Sequence, residues 1–326
     1  MLALKFDGTQ PVLDPRYPEP STPPGEALIR PTRMGVCSTD LELIQGYMGF
    51  TGVLGHEFVG VVEDVPKPTD KSQKRWIGQR VVGTINCVRS VCDLVRKGLR
   101  EHARDRSVLG IQERDGVFAE RFTLPVENLL EVPGHVDDDR AVFAEPLAAA
   151  FQVLRQLKVE GRPYITVLGD GRLGLLCAQV MSRLNATVRV VGKHPDKLAL
   201  AEKWGVKHRL LDEVGLRQDQ DVVVDCTGSR SGITTAMGMV RPRGTIVLKT
   251  TTAVGENTPA IDLSPLVVHE ITVIGSRCGP FPDALQALSQ AEVDVVSLLS
   301  KRMKLSDGPE VLKAAKKGAI KVLIEP

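Results

Sequence analysis

Three glycines between an apolar run and a helical stretch constrain the fold of this chain more than any other feature. They are Gly169, Gly171 and Gly174, in the order G-x-G-x-x-G. The preceding YITVL (164–168) has the composition of a buried strand, and LGLLCAQVMSRL (173–184) spaces its apolar residues as a helix does. In such a unit the first glycine permits a tight turn, the second lets the backbone approach a pyrophosphate, and the third lets helix and strand pack closely. The pattern predicts a dinucleotide site, with a ligand-free glycine-rich turn as the alternative.

Strand-like and helix-like segments alternate along the chain from about residue 148. The strand candidates after the glycine pattern are TVRVV (187–191), DVVVDCTG (221–228), GTIVLKT (244–250) and ITVIGS (271–276). The helix candidates between them are PDKLALAEKW (195–204) and residues 230–240. This alternation predicts a parallel, doubly wound sheet of the Rossmann type.

The first 140 residues have a different rhythm, in which short β-like runs are broken by Pro and Gly. They predict a mostly antiparallel, barrel-like unit, with the polar segment 66–76 as a surface loop. The last helix and strand candidates, FPDALQALSQ and IKVLIE, are expected to return to this unit. We therefore expect an α/β protein with a catalytic domain at 1–147, a dinucleotide-binding domain at 148–277, and a return to the catalytic domain at 278–326.

Bulk composition excludes several classes of function. A net charge of +2 over 326 residues gives no electrostatic basis for binding nucleic acid or an acidic membrane. No stretch approaches the ~20 apolar residues of a membrane span, and the N-terminal MLALKFDGTQ lacks the pattern of a secretory signal. Six scattered cysteines favour reduced thiols over a disulfide framework. We expect a cytoplasmic protein that binds neither nucleic acid nor membrane.

The end of the second strand in the alternating region bears on the choice of cofactor. NAD sites usually carry Asp or Glu there to bind the ribose 2′-hydroxyl, but VRVVGKHPDK has Gly192, followed by Lys193 and His194. A missing carboxylate removes a repulsion and a lysine attracts a 2′-phosphate, so NADP is favoured over NAD. The alternative is that Lys193 is a solvated loop residue with no part in binding.

Cofactor contacts are expected where the strands end, because doubly wound sheets bind ligands at their carboxyl edge. In and after the first turn, the candidates are Gly169, Asp170, Gly171, Arg172, Leu173, Gly174, Lys193 and His194. Thr227 follows the fourth strand and Thr250 the fifth, where we expect them beside nicotinamide and ribose. Arg277, after the sixth strand, is either a phosphate contact or a surface arginine.

A second constellation consists of residue types that bind zinc: Cys37, His56, Glu57 and Glu145. Cys37 and the pair His56–Glu57 come from two separate segments of the chain. Glu145 lies in the apolar FAEPLAAAF, where an unpaired carboxylate would be costly to bury. Zinc coordination would account for all four, although singly each has a simpler interpretation as a packed cysteine or a structural polar residue.

The order of several motifs resembles that of the zinc-dependent alcohol dehydrogenases of the medium-chain dehydrogenase/reductase superfamily. These motifs are C-S-T-D, G-H-E-F-V-G, G-Q-R-V (78–81), E-P-L (145–147) and G-D-G-R-L-G, and they span nearly the whole chain. The E-P-L motif is most similar to the sorbitol, threonine and sugar dehydrogenase branch, where glutamate replaces a cysteine ligand of the ethanol enzymes. The resemblance implies a GroES-like, mostly-β barrel catalytic domain joined to a doubly wound Rossmann domain.

The same resemblance implies a role for each metal-site candidate. Cys37 and His56 would be direct ligands of one catalytic Zn²⁺ ion. Glu57 and Glu145 would ligate it directly or through water, since members of the family differ. Asp40 would orient the ring of His56 by accepting its other N–H.

A proton relay is also implied, with one departure from the family pattern. Thr39 would take the alcohol proton. In relatives the relay continues to a histidine five residues after the cysteine ligand, but this chain has Glu42 there. We therefore expect the proton to leave through Glu42, the ribose hydroxyls or water.

A second departure concerns the four-cysteine lobe that binds a structural zinc in many relatives. The matching positions in this chain are Arg89, Cys92, Val95 and Ala103. Val and Ala cannot ligate a metal, so we predict no structural zinc, with ion pairs in its place.

The expected reaction is the reversible oxidation of an alcohol, polyol or sugar hydroxyl to a carbonyl, with hydride transfer to a nicotinamide cofactor. The expected partners are a small-molecule alcohol or carbonyl and further copies of the chain, as a homodimer or homotetramer. One rival is a zinc-independent NADPH quinone or enone reductase on the same scaffold, which would lack the cysteine, the His-Glu pair and the E-P-L glutamate. The other is a non-catalytic cofactor-binding protein, which would not need these residues.

Overall fold

A computed structural model describes residues 1–158, 160–251 and 260–326 of the chain. Over these residues the chain divides into two compact units. The first unit comprises Met1–Glu145 and Ala284–Pro326, and the second comprises Pro146–Asp283. The domain boundaries expected after residues 147 and 277 stay a prediction.

The N-terminal part of the first unit consists of short strands and very short helices. Its strands are β1 (Ala3–Phe6), β2 (Pro11–Asp14), β3 (Glu26–Gly35), β4 (Gly52–Val53), β5 (Glu57–Asp64), β6 (Arg80–Gly83), β7 (Asn86–Val88), β8 (Arg106–Val108), β9 (Phe122–Pro125) and β10 (Leu129–Glu131). Its helices are α1 (Ser38–Leu43), α2 (Asp93–Arg96) and α3 (Asp138–Ala141). Most of the segment 66–76 is exposed, as predicted, and it includes a short 3₁₀ helix.

Strands and helices alternate in the second unit. After α4 (Ala144–Gln156), which crosses the boundary between the units, they follow in the order β11 (Tyr164–Leu168), α5 (Arg172–Ser182), β12 (Thr187–Gly192), α6 (Pro195–Lys203), β13 (Lys207–Leu210), β14 (Gln220–Asp225), α7 (Arg230–Met239), β15 (Val240–Leu248), α8 (Ser264–Val268) and β16 (Thr272–Gly275). Helix α9 (Phe281–Ser289) crosses the second boundary, and most of it belongs to the first unit. The C-terminal elements are β17 (Leu299–Lys304), α10 (Glu310–Lys316) and β18 (Lys321–Glu325).

The main sheet of the first unit is mostly antiparallel and joins both ends of the chain. Its strand order is β10-β6-β5-β3-β18-β17, and β9 also pairs with β3. Within it, Gly35 of β3 lies opposite Glu57 of β5 on one side and opposite Leu323 of β18 on the other. The end of β3, the start of β5 and the C-terminal strand therefore lie side by side.

The sheet of the second unit is parallel throughout, with the strand order β13-β12-β11-β14-β15-β16. Apolar residues within its central strands are fully buried, as Ile165, Val167 and Val223 illustrate, which explains their continuous β-branched runs. The carboxyl ends of all six strands meet at one edge of the sheet. The predicted doubly wound, α/β fold is confirmed.

One strand boundary differs clearly from the prediction. Strand β15 begins at Val240, four residues before the expected GTIVLKT segment. Val240 pairs with Gln220, and the register then shifts before Thr245 pairs with Val222. Arg243 has a positive φ of 60° in this irregular stretch. Residues 240–243 therefore do not alternate as in a regular strand, and for this reason the sequence predicts the strand only from Gly244.

The lobe over residues 86–111 contains a two-stranded hairpin of β7 and β8, and α2. Arg104 pairs with Asp93 at 3.3 Å, and Arg89 pairs with Glu113 at 2.6 Å. Water and salt screen exposed pairs of this kind, so each stabilises the lobe only weakly. The absence of a structural zinc stays a prediction.

The apolar interior of the first unit includes an edge-to-face pair of Phe58 and Phe122, whose ring centroids lie 4.7 Å apart. Such pairs stabilise the packing of an apolar interior beyond the area that they bury. Among the described residues, no helix is long and apolar enough to cross a bilayer.

Candidate active site

Three potential metal ligands come together in the first unit. Cys37 lies between β3 and α1, whereas His56 and Glu57 lie at the start of β5. One ligand atom from each residue lies within 4.8 Å of the other two. His56 is 3% exposed and Glu57 is fully buried. The antiparallel pairing of β3 with β5 brings the two segments together, because Gly35 lies opposite Glu57.

The fully buried Asp40 connects the two ligand segments. Its carboxylate accepts a hydrogen bond of 2.7 Å from the backbone N–H of Cys37 and one of 3.2 Å from that of Gly55. Its Oδ1 also lies 3.4 Å from Nδ1 of His56. Asp40 thus fixes the chain on both sides of the site and faces one ring nitrogen of the histidine.

The pKa of His56 reflects opposing effects. Burial lowers the pKa, but the negative charges of Asp40 and Cys37 outweigh burial and raise the pKa well above the usual value. The surroundings of this imidazole therefore favour a positive charge. A metal cation bound by both His56 and Cys37 would also place a positive charge at this position.

A buried cation that the sequence motifs do not predict lies beside these ligands. Lys321 of β18 is fully buried and forms an ion pair with Glu57. Its ammonium group also lies 3.4 Å from the carbonyl oxygen of Val36 and 5.4 Å from the ring centroid of Phe143. Burial lowers the pKa of Lys321 to about 7, although the charges of Cys37 and Asp40 oppose this effect.

The ion pair explains why residue 35 is a glycine. A Cβ at Gly35 would collide with the carboxylate of Glu57 and with the side chain of Lys321. Gly35 does not have a positive φ, so space rather than backbone conformation requires a glycine here. Lys321 and Glu57 therefore meet across the central strand, where no side chain separates them.

The donor set fits zinc. A thiolate, an imidazole and a carboxylate at this separation match the ligand types of catalytic zinc sites. Two fully buried carboxylates, Asp40 and Glu57, and a cysteine lie close to Lys321. A divalent cation would offset the remaining negative charge, which would otherwise be costly to bury.

The other predicted residues of this site lie in the same unit. Thr39 is half-buried, with its hydroxyl oxygen 3.7 Å from Sγ of Cys37. Glu42 is half-buried in α1, three residues further on. Glu145 is in the first turn of α4 and half-buried, outside the three-residue group. Its part in metal binding stays a prediction.

The predicted dinucleotide turn lies between β11 and α5. Gly169 has φ +112°, a conformation that favours glycine, and Gly171 is the N-cap of α5. A Cβ at Gly174 would collide with the carbonyl oxygen of Gly169, so the helix packs closely against the turn. Arg172 and Leu173 are the first two residues of the helix and are half-buried. The N-terminal amides of the eleven-residue helix suit phosphate binding.

Lys193 and His194 follow β12 and are exposed. Both donate their backbone N–H groups to the carboxylate of Asp170, each at 2.7 Å. The glycine pattern predicts Asp170 as a cofactor contact but indicates no role for its carboxylate. Gly192, at the end of the strand, was the only signal in the sequence for this arrangement.

The remaining cofactor candidates lie at the carboxyl edge of the parallel sheet. Thr227 follows β14 and donates its hydroxyl to Asp225 at 2.7 Å. Thr250 follows β15, and Arg277 follows β16 and is exposed. Buried Lys249 connects these last two strand ends, since its ammonium group donates to the carbonyl oxygen of Arg277 at 2.5 Å.

Comparison with known families agrees with this geometry. Residues 23–134 match the alcohol dehydrogenase GroES-like domain, and residues 173–292 match the zinc-binding dehydrogenase domain. The chain belongs to the zinc-dependent alcohol dehydrogenase family of the medium-chain dehydrogenase/reductase superfamily. It is therefore a member of an oxidoreductase family, and the predicted family, fold and enzyme class are confirmed.

Individual relatives are similar over almost their full length. The chain is 27% identical to a sorbitol dehydrogenase of Halalkalibacterium halodurans, over 95% of this chain and 94% of that protein. It is 28% identical to an L-threonine 3-dehydrogenase of Chelativorans sp., over 93% and 92% respectively. Among solved structures, a zinc-binding dehydrogenase of Sinorhizobium meliloti bound to NADP superposes with a TM-score of 0.84 and 26% identity, covering 100% of this chain and 99% of that one. These relatives give no support to the quinone reductase alternative.

Proposed function

We propose that this protein oxidises a hydroxyl group of a polyol, sugar or small alcohol to a carbonyl, reversibly, with a nicotinamide dinucleotide and one catalytic zinc ion. One observation carries the proposal. Ligand atoms of half-buried Cys37 and of buried His56 and Glu57 lie within 4.8 Å of one another in a chain of this family.

Cys37 and His56 would hold the zinc, with Glu57 and Glu145 as further ligands, either directly or through water. When bound, zinc would supply Lewis-acid chemistry that makes the substrate hydroxyl more acidic. Asp40 keeps the imidazole oriented through its contact with Nδ1. Lys321 holds Glu57 by an ion pair, so the carboxylate has a fixed partner on the side of β18.

Thr39 is the proposed acceptor of the substrate proton. Its hydroxyl lies 3.7 Å from the sulfur of Cys37, which places it beside a proposed ligand. Glu42 is three residues further along α1, and residues at this spacing share one face of a helix. Glu42 is therefore the proposed next group in the relay, where relatives have a histidine.

The substrate class follows from the relatives. Two relatives that are similar over almost their full length are named for sorbitol and for threonine, and both compounds carry a secondary hydroxyl. We therefore favour a secondary hydroxyl of a small polyol over a primary alcohol as the group that is oxidised.

A nicotinamide cofactor fits the glycine turn and the family. The prediction of NADP over NAD depended on Lys193 and on the absence of a carboxylate at position 192. The Asp170 carboxylate lies beside Gly192. The end of the strand therefore does have an acidic group next to it, which argues against a preference for NADP.

A substrate panel tests the proposed function. Polyols, aldoses and simple alcohols are each assayed for cofactor reduction with NAD and with NADP, and bound zinc is measured in the same preparation. Polyol-dependent reduction by zinc-containing protein supports the proposal. Reduction of quinones or enones by active protein without zinc would instead support the zinc-independent alternative.

We also propose a homodimer or homotetramer in the cytoplasm, as is usual in the family. Light scattering coupled to size-exclusion chromatography tests the first point, and imaging of the tagged protein tests the second. A monomer that is fully active would contradict the proposed assembly.

A further inference from the structure

The carboxylate of Asp170 occupies the place that a side chain at position 192 would otherwise fill. A Cβ at Gly192 would collide with the Asp170 side chain. Gly192 lies in strand β12 without a positive φ, so its backbone would tolerate any residue. Space, not conformation, therefore requires glycine at the end of this strand.

Asp170 is held there by three donors. Its Oδ2 accepts the backbone N–H groups of Lys193 and His194, each at 2.7 Å. Nδ1 of His194 lies 2.9 Å from Oδ1. The Asp170 side chain is only 8% exposed, whereas that of His194 is 53% exposed. Burial raises the pKa of Asp170, but the contacts with His194 and Lys193 outweigh it and lower the pKa, so the group is a carboxylate at neutral pH.

This arrangement has two consequences for a dinucleotide bound at the turn. First, a carboxylate stands at the end of the second strand, where NAD sites carry the Asp or Glu that binds the ribose 2′-hydroxyl. Second, the backbone N–H groups of residues 193 and 194 are already bound to an anion of the protein. A 2′-phosphate would therefore have to compete for donors that are in use, next to a fixed negative charge.

The attraction between Lys193 and a 2′-phosphate is weaker than the combined effect of the carboxylate and the occupied N–H groups. Lys193 is exposed, so water and salt screen its attraction for a phosphate. The Asp170 carboxylate is almost buried, and its repulsion is screened much less.

We propose that Asp170, supplied by the glycine turn, replaces the acidic residue at the end of the second strand and selects NAD over NADP. This proposal rests on the proposed function, since it presumes that a nicotinamide dinucleotide binds at the turn. It reverses the preference predicted from Lys193 alone.

The test is a pair of dissociation constants, for NADH and NADPH, measured by fluorescence titration of the zinc-loaded protein. Wild type is expected to bind NADH at least about tenfold more tightly. Asp170→Asn keeps the side-chain shape and the amide oxygen as an acceptor but removes the charge, so it is expected to reduce the NADH preference about tenfold or more. The matched control, Asp196→Asn, removes an exposed carboxylate from the first turn of α6 and is expected to leave the preference unchanged.

Two further variants keep the test decisive if Asp170→Asn folds poorly. The double variant Asp170→Gly with Gly192→Asp returns the carboxylate to the strand end and is expected to restore the NADH preference. Lys193→Ala is expected to change the ratio less than about threefold, because the lysine does not determine the choice. A wild type that prefers NADPH, or an unchanged ratio in folded Asp170→Asn, would overturn the inference. Failure of wild type to bind either dinucleotide would instead overturn the proposed function.

Discussion

Cys37 is the residue whose replacement most directly affects metal binding. Cys37→Ser removes the thiolate from the three-residue group, and zinc affinity is expected to fall about 100-fold or more. Competitive titration with a chromogenic chelator measures the affinity, and elemental analysis measures the bound zinc. Cys92→Ser is the matched control, since Cys92 is the N-cap of α2 and outside the group. Unchanged zinc affinity in folded Cys37→Ser would contradict the assignment of this ligand.

Lys321 is expected to stabilise the folded protein, although it lies far in sequence from the other residues of the site. Lys321→Met leaves Glu57 buried without its ion-pair partner, and breaking a buried pair typically costs about 3–5 kcal/mol. The melting temperature of the zinc-loaded protein should then fall by about 10 °C. Lys317→Met, at an exposed position after α10, should shift it by no more than about 2 °C. Calorimetry of the two variants makes the comparison.

A double variant separates the ion pair from general packing. Glu57→Gln combined with Lys321→Met removes both charges, so it should be less destabilised than the sum of the two single variants. Strict additivity in the double-mutant cycle would mean that the two side chains do not stabilise each other.

Some residues of the site could be predicted from the sequence and others could not. Cys37, His56 and Glu57 were predictable as a group, because their residue types are chemically specific and the family motif is distinctive. Lys321 was not, since its partner belongs to a strand from the other end of the chain and the apolar IKVLIE reads as an ordinary strand. A lysine at a buried position of such a strand is nevertheless a signal, because it requires a partner.

At the level of elements, the central strand β3 controls the distance between its neighbours. Gly35→Ala places a methyl group where Glu57 and Lys321 meet, and overpacking of this kind costs about 1–3 kcal/mol. Both the melting temperature and the zinc affinity are therefore expected to fall. Gly134→Ala is the control, because a Cβ there would meet nothing within 4 Å and the residue lacks a positive φ. Equal behaviour of the two variants would show that the ion pair does not require the space above Gly35.

The elements themselves were largely predictable in the second unit, because a strand–helix rhythm is a local property of the sequence. Strand β11 coincides with the predicted YITVL segment, and α6 and α7 begin where expected. The pairing of β18 with β3 and β17 depends on contacts between distant parts of the chain. Local periodicity carries no information on such pairing, so the sequence could only suggest that the tail returns to the first unit.

At the level of the whole molecule, each unit carries one of the two proposed ligand sites. The metal-site group belongs to the first unit and the glycine turn to the second. Ligands stabilise the parts that they bind. In hydrogen–deuterium exchange, zinc removal should therefore increase exchange in α1 and at the start of β5, and NADH should protect the β11–α5 turn. Protection of the turn by zinc alone, without any effect on α1 or β5, would contradict this division.

The central claim is that hydroxyl oxidation depends on zinc held by Cys37, His56 and Glu57. The most direct measurement is polyol-dependent cofactor reduction as a function of bound zinc, in protein first stripped with a chelator and then reloaded in steps. Activity is expected to be lost on stripping, to rise in proportion to bound zinc and to reach its maximum near one ion per chain. Full activity in protein without zinc would contradict this claim.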